Sequence, residues 1–212
     1  MQNQSDSIMI LQAWFSPSFP VGAFSYSHGL ESAINSGFIK SSNDLVEWIK
    51  HLLKQGSGWN DGVFLSAAYN NEPDVNCLCL SLAASRERHL ETSEMGSAFV
   101  RAVNNVYGLE LQENLTYPVA VGKAAREFKI DLRLTLQSFL QSFVNNLIHV
   151  GIRIIPIGQE TGQDCLFQLM PNIKSLAEKL ANSSLDDLRG GAFFADLLSM
   201  QHEYSEQRIF RT

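Results

Sequence analysis

Apolar residues recur along this chain at three- and four-residue steps, the spacing of one face of an α-helix. The clearest segment carries Gln and Asn between its apolar positions, which are Leu132, Leu136, Phe139, Leu140, Phe143, Leu147 and Ile148. A second helix is predicted to begin near Ser42, where Ser42, Asn43 and Asp44 offer capping oxygens, and to end at Gly56. Further helices are predicted at about 7–15, 25–36, 60–70, 73–91, 94–107, 118–128, 161–182 and 192–204.

One segment competes with this helical pattern. Residues 152–157 read Ile-Arg-Ile-Ile-Pro-Ile, a β-branched run that would suit a strand. Pro156 restricts such a strand to a sheet edge and no partner strand is evident, so the segment is predicted to continue a helix. The sequence therefore predicts an all-α fold, with residues 1–212 forming a single domain of about ten helices around a long central helix.

Composition narrows the classes of function. The 212 residues are 45% hydrophobic and 18% charged, without a Pro/Gly/Ser-rich spacer between two cores. The net charge of -6 and the absence of a basic stripe exclude nucleic acid as a partner. The polar start and the absence of any run of about 18 apolar residues predict a cytoplasmic protein without a membrane segment. The three cysteines, Cys77, Cys79 and Cys165, are expected to be buried free thiols. The alternative is that Cys77 and Cys79 contact a soft metal ion transiently.

Motifs for catalysis are incomplete in this chain. A nucleotide-binding P-loop needs Gly five residues before its Gly-Lys pair and Ser or Thr directly after it. For Gly122-Lys123, these positions hold Tyr117 and Ala124. The segment 25–29, Ser-Tyr-Ser-His-Gly, begins with Ser where a hydrolase nucleophile elbow has Gly. A hydrolase that uses Ser25 or Ser27 with a histidine stays open, because spatial neighbours are not visible in sequence.

Three further segments invite a functional interpretation. Residues 15–24 hold two prolines and three phenylalanines, so this loop is either a rigid hydrophobic plug or a presented surface. Residues 158–163 hold two Gly-Gln pairs, which allow close backbone approach and amide hydrogen bonds. Residues 208–212 read Arg-Ile-Phe-Arg-Thr at a position where chains usually fray, which suits a docking peptide. The alternative is a polar tail whose Phe packs back onto its own domain.

Several stretches together make the chain resemble the UreF family of urease accessory proteins, which are chaperones of nickel-urease maturation. The matching stretches are residues 16–31, Arg86-Glu87, Met95-Gly96, 117–122, 153–159, Gly162-Gln163, His202-Glu203 and 208–212. They extend over nearly the whole chain in a consistent order. The departures are Ile209 and Thr212, where the family usually has Leu and Ser, and a more polar and acidic segment 204–207.

The resemblance implies a dimeric, all-α protein that binds the UreD/UreH accessory protein. It also implies recruitment of the GTPase UreG into a complex that delivers nickel to apo-urease. No catalytic residue, no resident metal and no tightly bound cofactor are implied, so the chain is not expected to be an enzyme. Nickel is expected to be handled in transit by the complex.

The resemblance and the residue chemistry together nominate functional residues. The tail, residues 203–212, is expected to be mobile until a partner binds. The expected partner-binding residues are His202, Glu203, Arg208, Phe210 and Arg211, with Phe19, Phe24, Tyr26 and Glu31 from the segment near the start. The candidates for nickel transit are His28, Gln159 and Gln163, with Glu31 beside them. The expected dimer interface is Phe139, Phe143 and Leu147. The rival hypothesis is a GTPase-activating protein that inserts Arg208 as an arginine finger.

Overall fold

The computed structural model describes residues 4–211, and these residues form helices joined by loops, with no strand among them. The α-helices are α1 (Gln4–Trp14), α2 (Leu30–Asn35), α3 (Ser42–Gln55), α4 (Ser57–Tyr69), α5 (Val75–Ser81), α6 (Arg86–Tyr107), α7 (Tyr117–Glu127), α8 (Leu132–Ile154), α9 (Gln159–Leu180) and α10 (Phe193–His202). Short 3-10 helices occupy Ala23–Ser25 and Leu185–Asp187. The all-α prediction is confirmed.

Helix ends follow local capping chemistry, which also explains one wrong boundary. The Ser41 hydroxyl accepts the backbone N–H of Asp44, and the Asp44 carboxylate accepts the backbone N–H of Ser41, so the two form a capping box at the start of α3. The predicted helices 73–91 and 94–107 are divided at the wrong place, because the break lies at residues 82–85. The Ser85 side chain accepts the backbone N–H of Arg88, so α6 begins there and runs unbroken through Tyr107.

The segment 152–157 is helical only in part. Helix α8 continues through Ile154, and Ile155 then adopts an extended conformation. The ring of Pro156 disfavours helical geometry at the residue before it, so α8 ends at this point. The prediction of a continuing helix therefore holds up to Ile154 and fails beyond it.

Helices α4 and α8 occupy the centre of the fold. Helix α8 packs against α9, α4, α2, α3, α7 and α1. Helix α4 is buried on nearly every face and packs closely on α7. At Gly122 of α7 an added Cβ would lie 2.4 Å from the Leu65 carbonyl oxygen, so only glycine permits this approach. The Gly122-Lys123 pair thus lies within a packed helix.

The loop at residues 15–24 rests on the core. Phe15 packs edge-on against Phe139 of α8, and Phe19 packs against Phe99 of α6. Both rings are half-buried. The loop therefore lies against the body as a hydrophobic plug.

Two further expectations concern the surface. Cys79 and Cys165 are buried free thiols, but Cys77 is exposed on α5, so the prediction that all three are buried is wrong for Cys77. Among residues 4–211, none of the helices has both the length and the apolar character needed to cross a bilayer.

Candidate partner-binding site

The chain after α10 folds back onto the body, and we call residues 203–211 the seated segment. Phe210 is 5% exposed and belongs to the hydrophobic core. The backbone N–H of Arg211 donates to the Ser25 carbonyl. The structure therefore places this segment against its own domain, whereas the sequence led us to expect a mobile tail. Its release or ordering by a partner stays a prediction, and Thr212 lies outside the described residues.

A close contact between α2 and α10 positions the site. Gly29 immediately precedes α2 and has a φ of 75°, a left-handed conformation that favours glycine. An added Cβ there would lie 2.7 Å from the Ala195 carbonyl oxygen of α10. The absence of a side chain lets α10 approach α2, and this brings Glu31 up to His202 at the end of α10.

His202 lies between two carboxylates, and we call Glu31, Glu87 and His202 the His202 clamp. Its Nδ1 lies 2.9 Å from Glu87 Oε2, and its Nε2 lies 3.0 Å from Glu31 Oε2. The His202 side chain is 1% exposed and that of Glu31 is 2% exposed. The clamp ties together α2, α6 and α10 in a site from which water is nearly excluded.

The same two carboxylates hold the seated segment. Glu31 accepts the backbone N–H groups of Ile209 at 2.8 Å and Phe210 at 2.9 Å. Glu87 accepts Nη1 of Arg208 at 2.8 Å. The Arg208 side chain remains 42% exposed, so its guanidinium keeps contact with solvent while it is paired. Glu203, a further expected partner residue, accepts the backbone N–H of Arg86 at the start of α6.

The far end of the seated segment is fixed by Glu94. Arg211 Nη1 and the Tyr26 hydroxyl both donate to Glu94 Oε2, at 2.8 and 2.9 Å. Burial, together with the hydrogen bond to Glu94, raises the pKa of Tyr26 well above its ordinary value. Tyr26 is therefore a buried hydrogen-bond donor, and of the expected partner residues near the start, Phe19 and Phe24 are half-buried.

A second buried network adjoins this site. Arg88 pairs with Asp61 at 3.1 Å and with Glu91 at 2.8 Å, and His28 Nε2 lies 3.1 Å from Glu91. Burial raises the pKa of Asp61 above its ordinary value. Burial alone would also raise the pKa of Glu91, but Arg88 and His28 more than reverse this effect and lower it to about 2. His28, Asp61 and Arg88 of this network line a cavity of about 360 Å³.

The candidates for nickel transit lie in different environments. His28 is buried beside Glu91, whereas Gln159 and Gln163 are exposed in the first two turns of α9. Across the described residues, no group of three or more His, Cys, Asp and Glu side chains is arranged to hold a metal ion. A nickel path stays a prediction.

The expected dimer interface is not on the surface. Phe139, Phe143 and Leu147 are all buried within the chain itself. Phe139 contacts Phe15 and Tyr117, and Phe143 lies against His28. Helix α8 is covered on this face by its own domain, so these side chains offer no free face to a second copy.

An exposed apolar surface instead lies on α10. We call Phe193, Leu197 and Met200 of α10, together with Tyr204 just after the helix, the α10 patch, and all four are exposed, Tyr204 to 85%. Between the seated segment and α6 lies a cleft of about 610 Å³, lined among others by Tyr204, Ile209 and Leu90. Apolar side chains grouped in this way are typical of protein contact surfaces.

Sequence reasoning missed the acidic acceptors of the site. Arg208 and Arg211 were expected to bind a partner, but in this structure they pair with Glu87 and Glu94 of the chain itself. A signal was present, because Glu87, Glu91 and Glu94 recur at four- and three-residue steps and so share one face of α6.

Comparisons with known proteins agree with one another. The family model described as UreF matches residues 39–170. The urease accessory protein UreF of Roseobacter denitrificans is 37% identical over 98% of this chain and 95% of its own length. That of Mesorhizobium japonicum is 39% identical over the full length of both chains. The urease accessory protein UreF 1 of Brucella anthropi is 38% identical over 97% of this chain and 94% of its own.

Proposed function

Because the chain belongs to the UreF family of urease accessory proteins, we propose that it is a non-catalytic assembly factor. In this proposal it bridges the UreD/UreH accessory protein and the GTPase UreG while nickel is inserted into apo-urease. The observation that carries the proposal is the seated segment, which is fixed to the body beside the apolar α10 patch.

The seated segment and the α10 patch have the composition of a protein interface. Tyr204 and Ile209 stand exposed beside the guanidinium groups of Arg208 and Arg211. Aromatic residues and arginine are enriched in the residues that dominate binding energy. The hydrogen bonds from Glu31 fix the backbone of the segment, and a preordered segment loses less conformational entropy when it binds.

The ion pair between Arg208 and Glu87 favours a docking role for Arg208 over a role as a catalytic arginine finger. Its guanidinium is already paired with Glu87 at 2.8 Å, so insertion into a GTPase site would first require that ion pair to break. A docking arginine can keep this pair and use its exposed donors for a partner.

The remaining parts of the proposal follow the family. The protein acts in the cytoplasm as a homodimer, through a surface other than the buried Phe139, Phe143 and Leu147 side chains. It keeps no tightly bound cofactor, and nickel is cargo of the assembled complex.

The test is co-purification of tagged protein with UreD/UreH and UreG, combined with urease activation in cells. A chain ending at Tyr204 and a Met200→Asp variant should both lose a partner and urease activation, because the first lacks residues 205–211 of the seated segment and the second places a charge in the α10 patch. Full complex formation by both variants would refute the proposal.

Arg208→Ala separates the two roles of the arginine. Loss of UreG binding together with loss of GTP turnover supports docking, whereas loss of turnover at unchanged binding supports the finger. Arg133→Ala is the matched control, because Arg133 is an exposed arginine paired with Glu178 on the α8–α9 side. This control should behave as the native protein.

A further inference from the structure

We propose that the cavity of about 360 Å³ beside Arg88 binds a small organic cation, an ammonium or guanidinium group on a short apolar chain, with Asp196 as its anionic partner. None of residues 203–211 lines this cavity. Binding in the cavity can therefore be tested separately from the partner contacts of the seated segment, and either can fail without the other.

The cavity lies where four parts of the fold meet. Its walls come from the junction of α3 and α4, from α5 with the start of α6, from residues 188–190 and from α10. Cys79 and Ser199 in these walls are buried, whereas Gln55 and Arg189 are exposed, so the exposed pair marks a mouth. A recess of this volume that opens to solvent is within the range of small-molecule sites.

Most charged groups around the cavity already have partners. Arg88 donates to both carboxylate oxygens of Asp61, at 3.1 and 3.2 Å, and pairs with Glu91 at 2.8 Å. The Arg189 guanidinium lies 3.6 Å from the centre of the Trp59 ring, and its Nη1 donates to a backbone carbonyl of α3. These contacts compensate the charges of Arg88, Asp61 and Arg189 within the chain itself.

The Asp196 carboxylate lacks such a partner. It lies in the first turn of α10, lines the cavity and is half-buried. Among residues 4–211, no group forms a hydrogen bond or a close ion pair with this carboxylate. Burial raises the pKa of Asp196, and the charges of Arg88 and His51 oppose this effect only in part. A bound cation would compensate the carboxylate, because a desolvated charge without a partner is costly.

The remaining wall determines the class of the ligand. Much of it is apolar, and its apolar members include Leu52, Phe64, Leu82, Ala84 and Ala195. A carboxylate next to such a wall is complementary to a cation that is carried on a short hydrocarbon chain. An ammonium or guanidinium binds a single carboxylate through charge-assisted hydrogen bonds, whereas a metal ion needs several ligands. Asp196 therefore favours an organic cation over a metal ion.

The test is an NMR titration of the full chain with n-butylguanidinium and with n-butylurea, which has the same shape without the charge. We expect butylguanidinium to bind at least about tenfold more tightly, because its hydrogen bonds to Asp196 are charge-assisted. Resonances of Ala84, Ala195 and Asp196 should shift, and those of α9 should not. Equal affinities for the two probes, or no binding of butylguanidinium up to about 10 mM, would overturn the proposal.

Asp196→Asn identifies the anionic partner. This variant should bind butylguanidinium at least about tenfold more weakly, and its affinity for butylurea should change by less than about threefold. Asp164→Asn is the matched control, because Asp164 is exposed on α9, outside the cavity, and the substitution removes the same charge. The control should keep both affinities. An unchanged affinity of Asp196→Asn for butylguanidinium would refute the role of Asp196.

A measurement on the native protein stays decisive even where Asp196→Asn fails to fold. Nuclear Overhauser effects between the butyl protons of the probe and side-chain protons report which residues the probe contacts. We expect contacts with Phe64 of α4 and with Ala84 in the loop before α6, because both line the cavity. Contacts confined to the exposed α10 patch would place the probe outside the cavity and contradict the inference.

Discussion

Replacing Phe210 with alanine is expected to release the seated segment and to leave the helical body folded. The Phe210 ring is 5% exposed, so the substitution removes nearly the whole burial of one phenylalanine. Burying such a side chain is worth about 1.5–3 kcal/mol. Taking about 2 kcal/mol, the equilibrium between seated and released segment should shift by roughly 30-fold toward release.

The loss should be local, because the segment can leave without unfolding a helix. The Phe210→Ala protein should show about 30-fold lower protection of the amides at positions 209–211 in hydrogen exchange. Its free energy of unfolding should fall by no more than about 2 kcal/mol, because release of the segment, which needs no helix to unfold, limits the loss.

Ile209→Ala is the matched control, because the neighbouring apolar side chain is 64% exposed. This variant should change protection of the segment by less than about threefold, since little buried area is lost. The reasoning would be refuted if the two variants lost equal protection. It would also be refuted if Phe210→Ala lowered the denaturant midpoint and left the segment protected.

Three further predictions concern the body of the protein. Gly29→Ala should lower the free energy of unfolding by about 1–3 kcal/mol in denaturant melts, because the added Cβ would clash with α10 at a residue that also has a left-handed backbone conformation. Gly22 has the same φ of 75° but no atom within 4 Å of an added Cβ, so Gly22→Ala should lower the free energy of unfolding by less. Equal losses of unfolding free energy in the two variants would contradict the close contact at Gly29. Glu91 has a lowered pKa, so it contributes stability that is present above pH 4.5 and lost toward about pH 2. The free energies of unfolding of native and Glu91→Gln protein should therefore converge on acidification, and a constant difference would contradict this. A maleimide should label only Cys77 in the native protein, because Cys79 is buried with its pKa raised to about 12; fast native labelling of Cys77→Ser would refute this.

Much of the fold could be predicted because its signals are local. The apolar spacing of α8 and the capping residues before α3 depend on neighbours a few positions apart. The break before α6 was misplaced, since Ser85 acts as a cap only in a particular backbone conformation. A serine in sequence does not reveal that conformation.

The site could be predicted only in part, because it depends on distant pairs. His202, Arg208 and Phe210 were nominated from residue chemistry and from the family resemblance. Glu87 and Glu94 were not, since their arginine partners lie 121 and 117 positions away. Burial of the Phe139 face by its own domain is likewise a tertiary property, which helical spacing cannot distinguish from an interface.

Glu31 and Phe210 contact each other in the folded protein but are synthesised at different times. The two residues are 179 positions apart. At about 5–20 residues per second, a ribosome needs roughly 10–35 s to travel that distance. During this interval Glu31 of α2, and from its own synthesis onward Glu87 of α6, lack the amide and cationic partners that residues 202–211 supply. This corner of the molecule therefore cannot close before residues 202–211 have been made.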